Sequence, residues 1–396
     1  MGGTNCNKGE ENNYQIETRC IHTVEKDCLL QPYGAVAVPI YQTATFSHPG
    51  IGETTGYDYS RESNPTRSHL EEIIRKLEKA EDAVACSSGM AAITLCLSLF
   101  DVGSHFVCSE DLYGGSVRLF QSYEKMGYRF TYVDTSKPEE VERAIESHTK
   151  ALYIETPSNP TMKITDFCQM RKLIDRYGLL LIVDNTFLSP YFQNPIEQGA
   201  DLVLHSGTKF LCGHNDTIAG FVCSASQELA EKIRFHYKTT GSCLSPFDSW
   251  LLIRGVKTLA VRQERQQENA LKIAQWLKGR KEITAVYYPG LEDHPGHEVN
   301  KKQARGAGSM ISFHTDSECT ARRLLQNVRV FTYAESLGGV ESFITYPMIQ
   351  THGDVPKEVR RKLGITENFL RISVGIENAG DLIQDLEQAL QEKIDV

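Results

Sequence analysis

Between residue 64 and about residue 230, short apolar runs alternate with amphipathic stretches. DAVACSS (82–88), SHFVCS (104–109), RFTYVD (129–134), ALYIETP (151–157), LLLIVDN (179–185), ADLVLHS (200–206) and IAGFVCS (218–224) read as strands. LLLIV is apolar at every position, as a strand buried on both faces must be. Helical spacing predicts helices from Ser68 to about Lys79, from Gly89, beyond Gly115, and from about Asp166 to Tyr177. Alternation of this kind predicts an α/β sheet rich in parallel strands with crossover helices. From about residue 250 the pattern changes. A long polar-faced helix (258–279) leads to strands TAVYYP, SMISFHT and FLRISVG separated by amphipathic helices, the last being DLIQDLEQALQEKI. This predicts a smaller C-terminal α+β domain. Residues 1–63, rich in Gly, Pro, Thr and Tyr, read as an irregular arm.

Composition narrows the function classes. The chain has 396 residues, enough for two domains, and a net charge of -9, which argues against general affinity for nucleic acid or anionic membranes. Eleven cysteines form no C-x-x-C pair, and MGGTNCNKGEENNYQ lacks a signal-peptide core, so reduced thiols in a cytoplasm are expected. No run reaches the ~18 apolar residues of a membrane span. His294 with His297, and His205 with Cys212 and His214, have ligand-like character but complete no known spacing, so no metal site is expected.

Chemistry gathers where strands end and loops leave the sheet. In CSSGMAA the N–H groups of Gly89 and Met90 at a helix start suit a phosphate, although Ser-Ser-Gly there also reads as a simple cap. Asp184 ends the strand LLLIVD, where it serves either as a turn residue or as the partner of a cation. In HSGTKFL, Ser206 and Thr208 can hold an anion, while Phe210 and Leu211 would dry the surroundings of Lys209 and lower its pKa. Tyr113, before a glycine pair in DLYGG, could stack on a ring and take part in proton transfer. Lysine, carboxylate and phosphate donors at one sheet edge are what pyridoxal 5'-phosphate requires. No dinucleotide or nucleoside-triphosphate glycine motif is present.

The chain resembles the Cys/Met-metabolism family of pyridoxal phosphate enzymes, which includes cystathionine γ-synthase, γ-lyase and β-lyase and methionine γ-lyase. The resemblance runs from about residue 17 to 393 and is carried by ETRCIH, YDYSRESNPTR, CSSGMAA, DLYGG, ETPSNPT, VDNTF, HSGTKFLCGH, YYPGLEDHPGHE, AESLGGVES and FLRISVGIE. It implies a fold-type I transferase architecture, divided as an arm (1–63), a cofactor-binding domain (64–252) and a C-terminal domain (253–396). It also implies a homotetramer of two dimers with shared active sites. Lys209 would be the Schiff-base lysine, Asp184 the pyridine-nitrogen partner and Tyr113 the stacking ring. Gly89, Met90, Ser206 and Thr208 would hold the phosphate, joined by Tyr59 and Arg61 from the neighbouring subunit. Arg371, with Asn159 and Ser336, matches the clamp for the substrate carboxylate, and Arg offers a bidentate fork for it.

Among activities, Gly115 stands where methionine γ-lyases usually carry cysteine. Glu335 stands where many β-lyases and methionine γ-lyases carry an apolar or aromatic residue, and could meet the distal ammonium of cystathionine. The expected chemistry is therefore γ-replacement or γ-elimination, synthase ahead of lyase, with cystathionine β-lyase or methionine γ-lyase as alternatives and a fold-type I aminotransferase as a distant one.

Overall fold

The computed structural model describes residues 14–22, 33–353 and 355–392. Seven strands make the larger sheet: β1 (Asp82–Cys86), β2 (His105–Ser109), β3 (Arg129–Val133), β4 (Thr149–Glu155), β5 (Leu180–Asp184), β6 (Leu202–Ser206) and β7 (Gly220–Ser224), in the order β1-β7-β6-β5-β4-β2-β3. The run β3-β2-β4-β5-β6 is parallel, while β7 lies antiparallel to both β6 and β1. All seven were expected from their apolar runs. The reversal of β7 was not, and its cause is local: only residues 207–219 join β6 to β7, with no crossover helix. That short return carries Lys209 over the sheet edge.

Successive residues of the central strands feed opposite sides. Leu152, Ile154, Leu181 and Val183 enter one buried cluster, and Ala151, Tyr153 and Ile182 the other. Helix Pro65–Glu78 starts three residues before the expected Ser68, because Asn64 accepts from Thr66 N and Pro65 fits the first helical position. Helices Gly89–Leu97 and Phe167–Tyr177 begin as the sequence indicates. The described part of the arm holds one six-residue helix, Ile16–Ile21, and otherwise pairs only through the bridge of Thr45 with Tyr59. Residues 1–13 and 23–32 of that arm, and the last residues of the C-terminal helix pattern, lie outside the described residues.

The second sheet holds β8 (Ile283–Tyr287), β9 (Met310–Thr315), β10 (Thr332–Tyr333), β11 (Phe343–Thr345) and β12 (Phe369–Ser373), ordered β10-β11-β12-β9-β8. The two short strands β10 and β11 carry no readable alternation. Helix Leu259–Lys278 connects the layers: Leu259 and Ala260 belong to the first core, Ala270, Ile273, Ala274 and Leu277 to the second.

Candidate active site

β1, β2, β4, β5 and β6 all end at one edge of the larger sheet, and the loops that follow them carry the candidate residues. Lys209 lies three residues beyond β6. Phe210 and Leu211 after it are buried in the first core, so the chain is pinned and the lysine is left partly covered. Its Nζ donates to Ser336 Oγ at 2.8 Å. Burial, with the repulsion of Arg371, lowers the Lys209 pKa from 10.5 to about 8, against the opposing pull of Glu335.

The second sheet supplies the far wall. Ser336 adopts φ 90°, and Gly338 follows at φ 80° with its α-carbon so close to the main chain of Lys209 and Phe210 that an added Cβ would stand 2.7 Å from Phe210 N. Only glycine permits that approach. The next residues continue the docking: Gln266 Nε2 donates to Gly339 O at 2.7 Å and Val340 N to Gly213 O at 3.0 Å. These contacts explain the glycine pair of AESLGGVES.

Arg371, on β12, is 1% exposed. One terminal nitrogen donates to Asn159 Oδ1 at 2.6 Å; the other reaches Ser336 O and Thr345 Oγ1, each at 3.4 Å. Its Nε is buried without a hydrogen-bond partner. Burial lowers its pKa to about 10, and Glu155, Glu335 and Tyr113 oppose the shift. A carboxylate is the group that such a guanidinium can still accommodate. Glu335 itself is exposed at the rim.

Asp184 ends β5 beside Glu155, which ends β4. Asp184 Oδ1 accepts from Thr186 N at 3.0 Å and Thr186 Oγ1 at 2.5 Å, and burial raises its pKa despite those bonds. Thr186 Oγ1 also accepts from Ser206 N at 2.9 Å, tying the ends of β5 and β6 together. Ser88 caps its helix by accepting from Ala91 N, and the Gly89 and Met90 N–H groups precede the first intrahelical bond. Gly89 packs on Ser206: a Cβ there would lie 3.3 Å from Ser206 Oγ. Thr208 is placed differently from a free donor, since its hydroxyl accepts from Ala219 N at 3.0 Å and donates to Ala219 O at 3.3 Å.

Tyr113 is 41% exposed and stands before helix Gly114–Glu124. Its N–H donates to Glu155 Oε2 at 2.9 Å. Tyr59 and Arg61 come together, with the guanidinium 5.4 Å from the ring centroid. Arg61 donates to Lys238 O and lies beside Glu62, and Tyr59 O accepts from Glu62 N and Ser63 N; none of these partners is a candidate residue around Lys209. Three residues at this site escaped the sequence reading. Glu155, the first residue of ETPSNPT, carries the same signal as Asp184, an acid closing a buried strand. Thr345 and His352 carried none. His352 Nε2 bonds Leu112 O at 3.1 Å, and Gly114 lies so near Thr351 O that a Cβ would come within 2.2 Å. His205 joins Glu78 at 2.6 Å and His214 bonds Cys212 O at 2.8 Å.

The residues fit pyridoxal phosphate: N–H donors and a hydroxyl at a helix start, a half-buried carboxylate with one oxygen engaged only by Thr186, and a lysine of depressed pKa. The sequence model for Cys/Met metabolism PLP-dependent enzymes matches residues 17–391. This chain belongs to that family. Among curated members, cystathionine γ-lyase of Bacillus subtilis is 52% identical over 359 residues, 90% of this chain and 95% of that one. Cystathionine β-lyase of Lactococcus lactis is 46% identical over 380 residues, 96% and 99% of the two chains. Cystathionine γ-synthase of Xanthomonas oryzae pv. oryzae, solved with aminoacrylate and cysteine, superposes with a TM-score of 0.93 at 40% identity, covering 96% of this chain and 98% of that one. The fold is accordingly that of the family's fold-type I enzymes, and the chain is a pyridoxal-phosphate-dependent transsulfuration enzyme of the cystathionine lyase and synthase type. Among the described residues, no helix is long and apolar enough to cross a membrane.

Proposed function

We propose that this enzyme works at the γ-carbon of cystathionine-sized amino acids, with γ-elimination and γ-replacement as its two outcomes. Glu335 carries the reading: an exposed carboxylate directly before Ser336, electrostatically felt by both Lys209 and Arg371, suits the distal ammonium of cystathionine. Gly115 supports it against methionine cleavage. A Cβ at that position would stand 2.4 Å from the Tyr113 ring, so the ring occupies the space that a cysteine side chain would need.

Pyridoxal phosphate, when bound, supplies an aldehyde for the substrate amine and a cationic ring that accepts the electron pair released at Cα. Arg371, held by Asn159, takes the substrate carboxylate and orients the Cα–H bond. Lys209 Nζ, poised by Ser336 Oγ and already near neutrality, removes the Cα proton and returns it at the atoms that need it. Tyr113, held by Glu155, covers the ring and moves a proton at the departing sulfur. Asp184 keeps the ring nitrogen protonated. Gly89, Met90, Ser206 and Thr208 hold the phosphate, Thr208 with the lone pair that Ala219 leaves it. Tyr59 and Arg61 complete the same site in a neighbouring subunit of a homotetramer, which gives the arm (1–63) its place beside the cofactor-binding unit (64–252) and the C-terminal unit (253–396). The compartment proposed is the cytoplasm.

A second reading, β-elimination, is favoured by the 46% identity to a β-lyase over nearly the whole chain. Products separate the two. Cystathionine and water give cysteine, 2-oxobutanoate and ammonia by γ-elimination, but homocysteine, pyruvate and ammonia by β-elimination. An acylated homoserine with cysteine gives cystathionine only by γ-replacement. Pyruvate as the sole oxo acid, with no cystathionine from any homoserine ester, overturns the proposal.

A further inference from the structure

Cys86 closes β1, and Cys243 lies just beyond helix Gln227–Thr240; the two face each other in an isolated antiparallel bridge. Its hydrogen bonds run from Ser87 N to Ser242 O, 2.8 Å, and from Leu244 N to Ala85 O, 3.0 Å. The bonded groups are thus those flanking the cysteines, which makes Cys86 and Cys243 a non-hydrogen-bonded pair. In such pairs the α-carbons approach to ~4.5 Å and both side chains leave on one face. A disulfide accepts α-carbon separations of ~4.4–6.8 Å. Packing agrees, since Cys86 is part of the buried cluster against which Cys243 rests. Both thiols are free.

We propose that Cys86 and Cys243 are a redox-modification site, converted by a peroxide-class oxidant to a disulfide directly behind the loop Ser87–Gly89. Cys243 is the partly accessible member and Cys86 the buried one, which sets the order. Cys243 Sγ attacks a peroxide oxygen, the O–O bond breaks, and sulfenic acid and water form. Cys86 Sγ then attacks Cys243 Sγ, the S–O bond breaks, and hydroxide leaves with the Cys86 proton as a second water. Two thiols lose two electrons and two protons while one peroxide becomes two waters. Burial pushes the Cys86 thiol pKa up, so the second step is the slow one.

The link would bear on the loop that follows. Disulfides favour α-carbons ~5.5–6 Å apart, so closing the bond spreads the bridge and loosens Ser87 N from Ser242 O. On the reading that Gly89 and Met90 hold the cofactor phosphate, the oxidised protein should release cofactor several-fold faster.

The test treats holoenzyme with hydrogen peroxide, quenches by alkylation in denaturant, and maps peptides by mass spectrometry. A Cys86–Cys243 peptide pair two hydrogens lighter than the reduced pair, reversed by dithiothreitol and absent in Cys243→Ser, is expected. Exposed Cys168 and Cys319 report that oxidant was sufficient. Recovery of Cys86 alkylated when those two are oxidised overturns the site. Absorbance of released cofactor is read in parallel. A linked pair with unchanged release keeps the site and counts against the phosphate role of this loop.

Discussion

Lys209 should titrate far below an ordinary lysine in protein freed of cofactor. With a pKa lowered from 10.5 to about 8, the neutral amine at pH 7.5 rises from about one part in a thousand to about one quarter, a gain of roughly two hundred-fold. Burial is the main cause and Arg371 the second, while Glu335 works the other way. The causes can be separated. Arg371→Gln should move the midpoint up and Glu335→Gln should move it down. Pulse acetylation over a pH series, quantified on the peptide containing residue 209, measures this; the shape of the curve reports the titration whatever the accessibility. A midpoint still above 10 would refute the desolvation argument, and shifts of the same sign in both variants would refute the charge argument.

The same shift has a stability consequence whose sign is fixed. Between about pH 8 and 10.5 the folded chain binds fewer protons at Lys209 than the unfolded chain does, so stability rises with pH across that window. Below it, the buried cation costs about 3 kcal/mol, from a gap of 10.5 − 8 at ~1.36 kcal/mol per pH unit. Lys209→Met should therefore be the more stable apoprotein at pH 7 and lose that advantage by pH 10.5, as read by urea unfolding of both proteins.

Other substitutions probe the remaining walls of the site. Glu335→Gln should lower kcat/KM for cystathionine by up to about five-fold, the worth of an exposed ion pair, and leave a substrate without the distal ammonium unaffected. Equal losses on both substrates would remove the specificity argument. Gly338→Ala should cost about 1–3 kcal/mol, from its positive φ and the 2.7 Å approach to Phe210 N; a variant with natural thermal stability would contradict the docking described. His352→Ala leaves Leu112 O buried without its partner, a loss of about 1–3 kcal/mol. It should lower kcat more than it raises KM if the histidine orders the Tyr113 loop, and the reverse split would place its effect on substrate binding instead.

Much of the larger sheet could be read directly because buried strands and amphipathic helices differ in period, and each of the seven apolar runs became a strand. The reversal of β7 was hidden because direction depends on the length of the return, and the run IAGFVCS is equally apolar either way. The helix begins before its amphipathic pattern does, because Asn64 and Pro65 set the cap three residues ahead of Ser68. In the smaller sheet, β10 and β11 have two and three residues, too few to show alternation. Lys209 and Asp184 stood out as residues that follow or close apolar strands, whereas Arg371, in the middle of β12, was marked only by the family motif FLRISVGIE. His352 was not legible, because it meets the Tyr113 loop through a backbone carbonyl of Leu112, and such a partner leaves no mark on sequence.

Glu155 and Asp184 show most sharply what sequence leaves undecided. Both are acids closing apolar parallel strands, and they sit opposite each other in the β4–β5 register. Their surroundings drive them apart. Burial, with the charge of Asp184 beside it, pushes the Glu155 pKa well above the carboxylate range, and the Tyr113 N–H and distant Arg371 only partly oppose this. Asp184 is raised as well, but two bonds from Thr186 restrain it. Adjacent acids on neighbouring strand ends, one buried and one half-buried, cannot both carry charge cheaply. Glu155 accepts one backbone N–H, a task that needs no charge, whereas Asp184 accepts two bonds from Thr186 that favour its charged form, and the partner proposed for it is a cation. What separates the two acids is Thr186, a residue whose importance follows only from where its hydroxyl points.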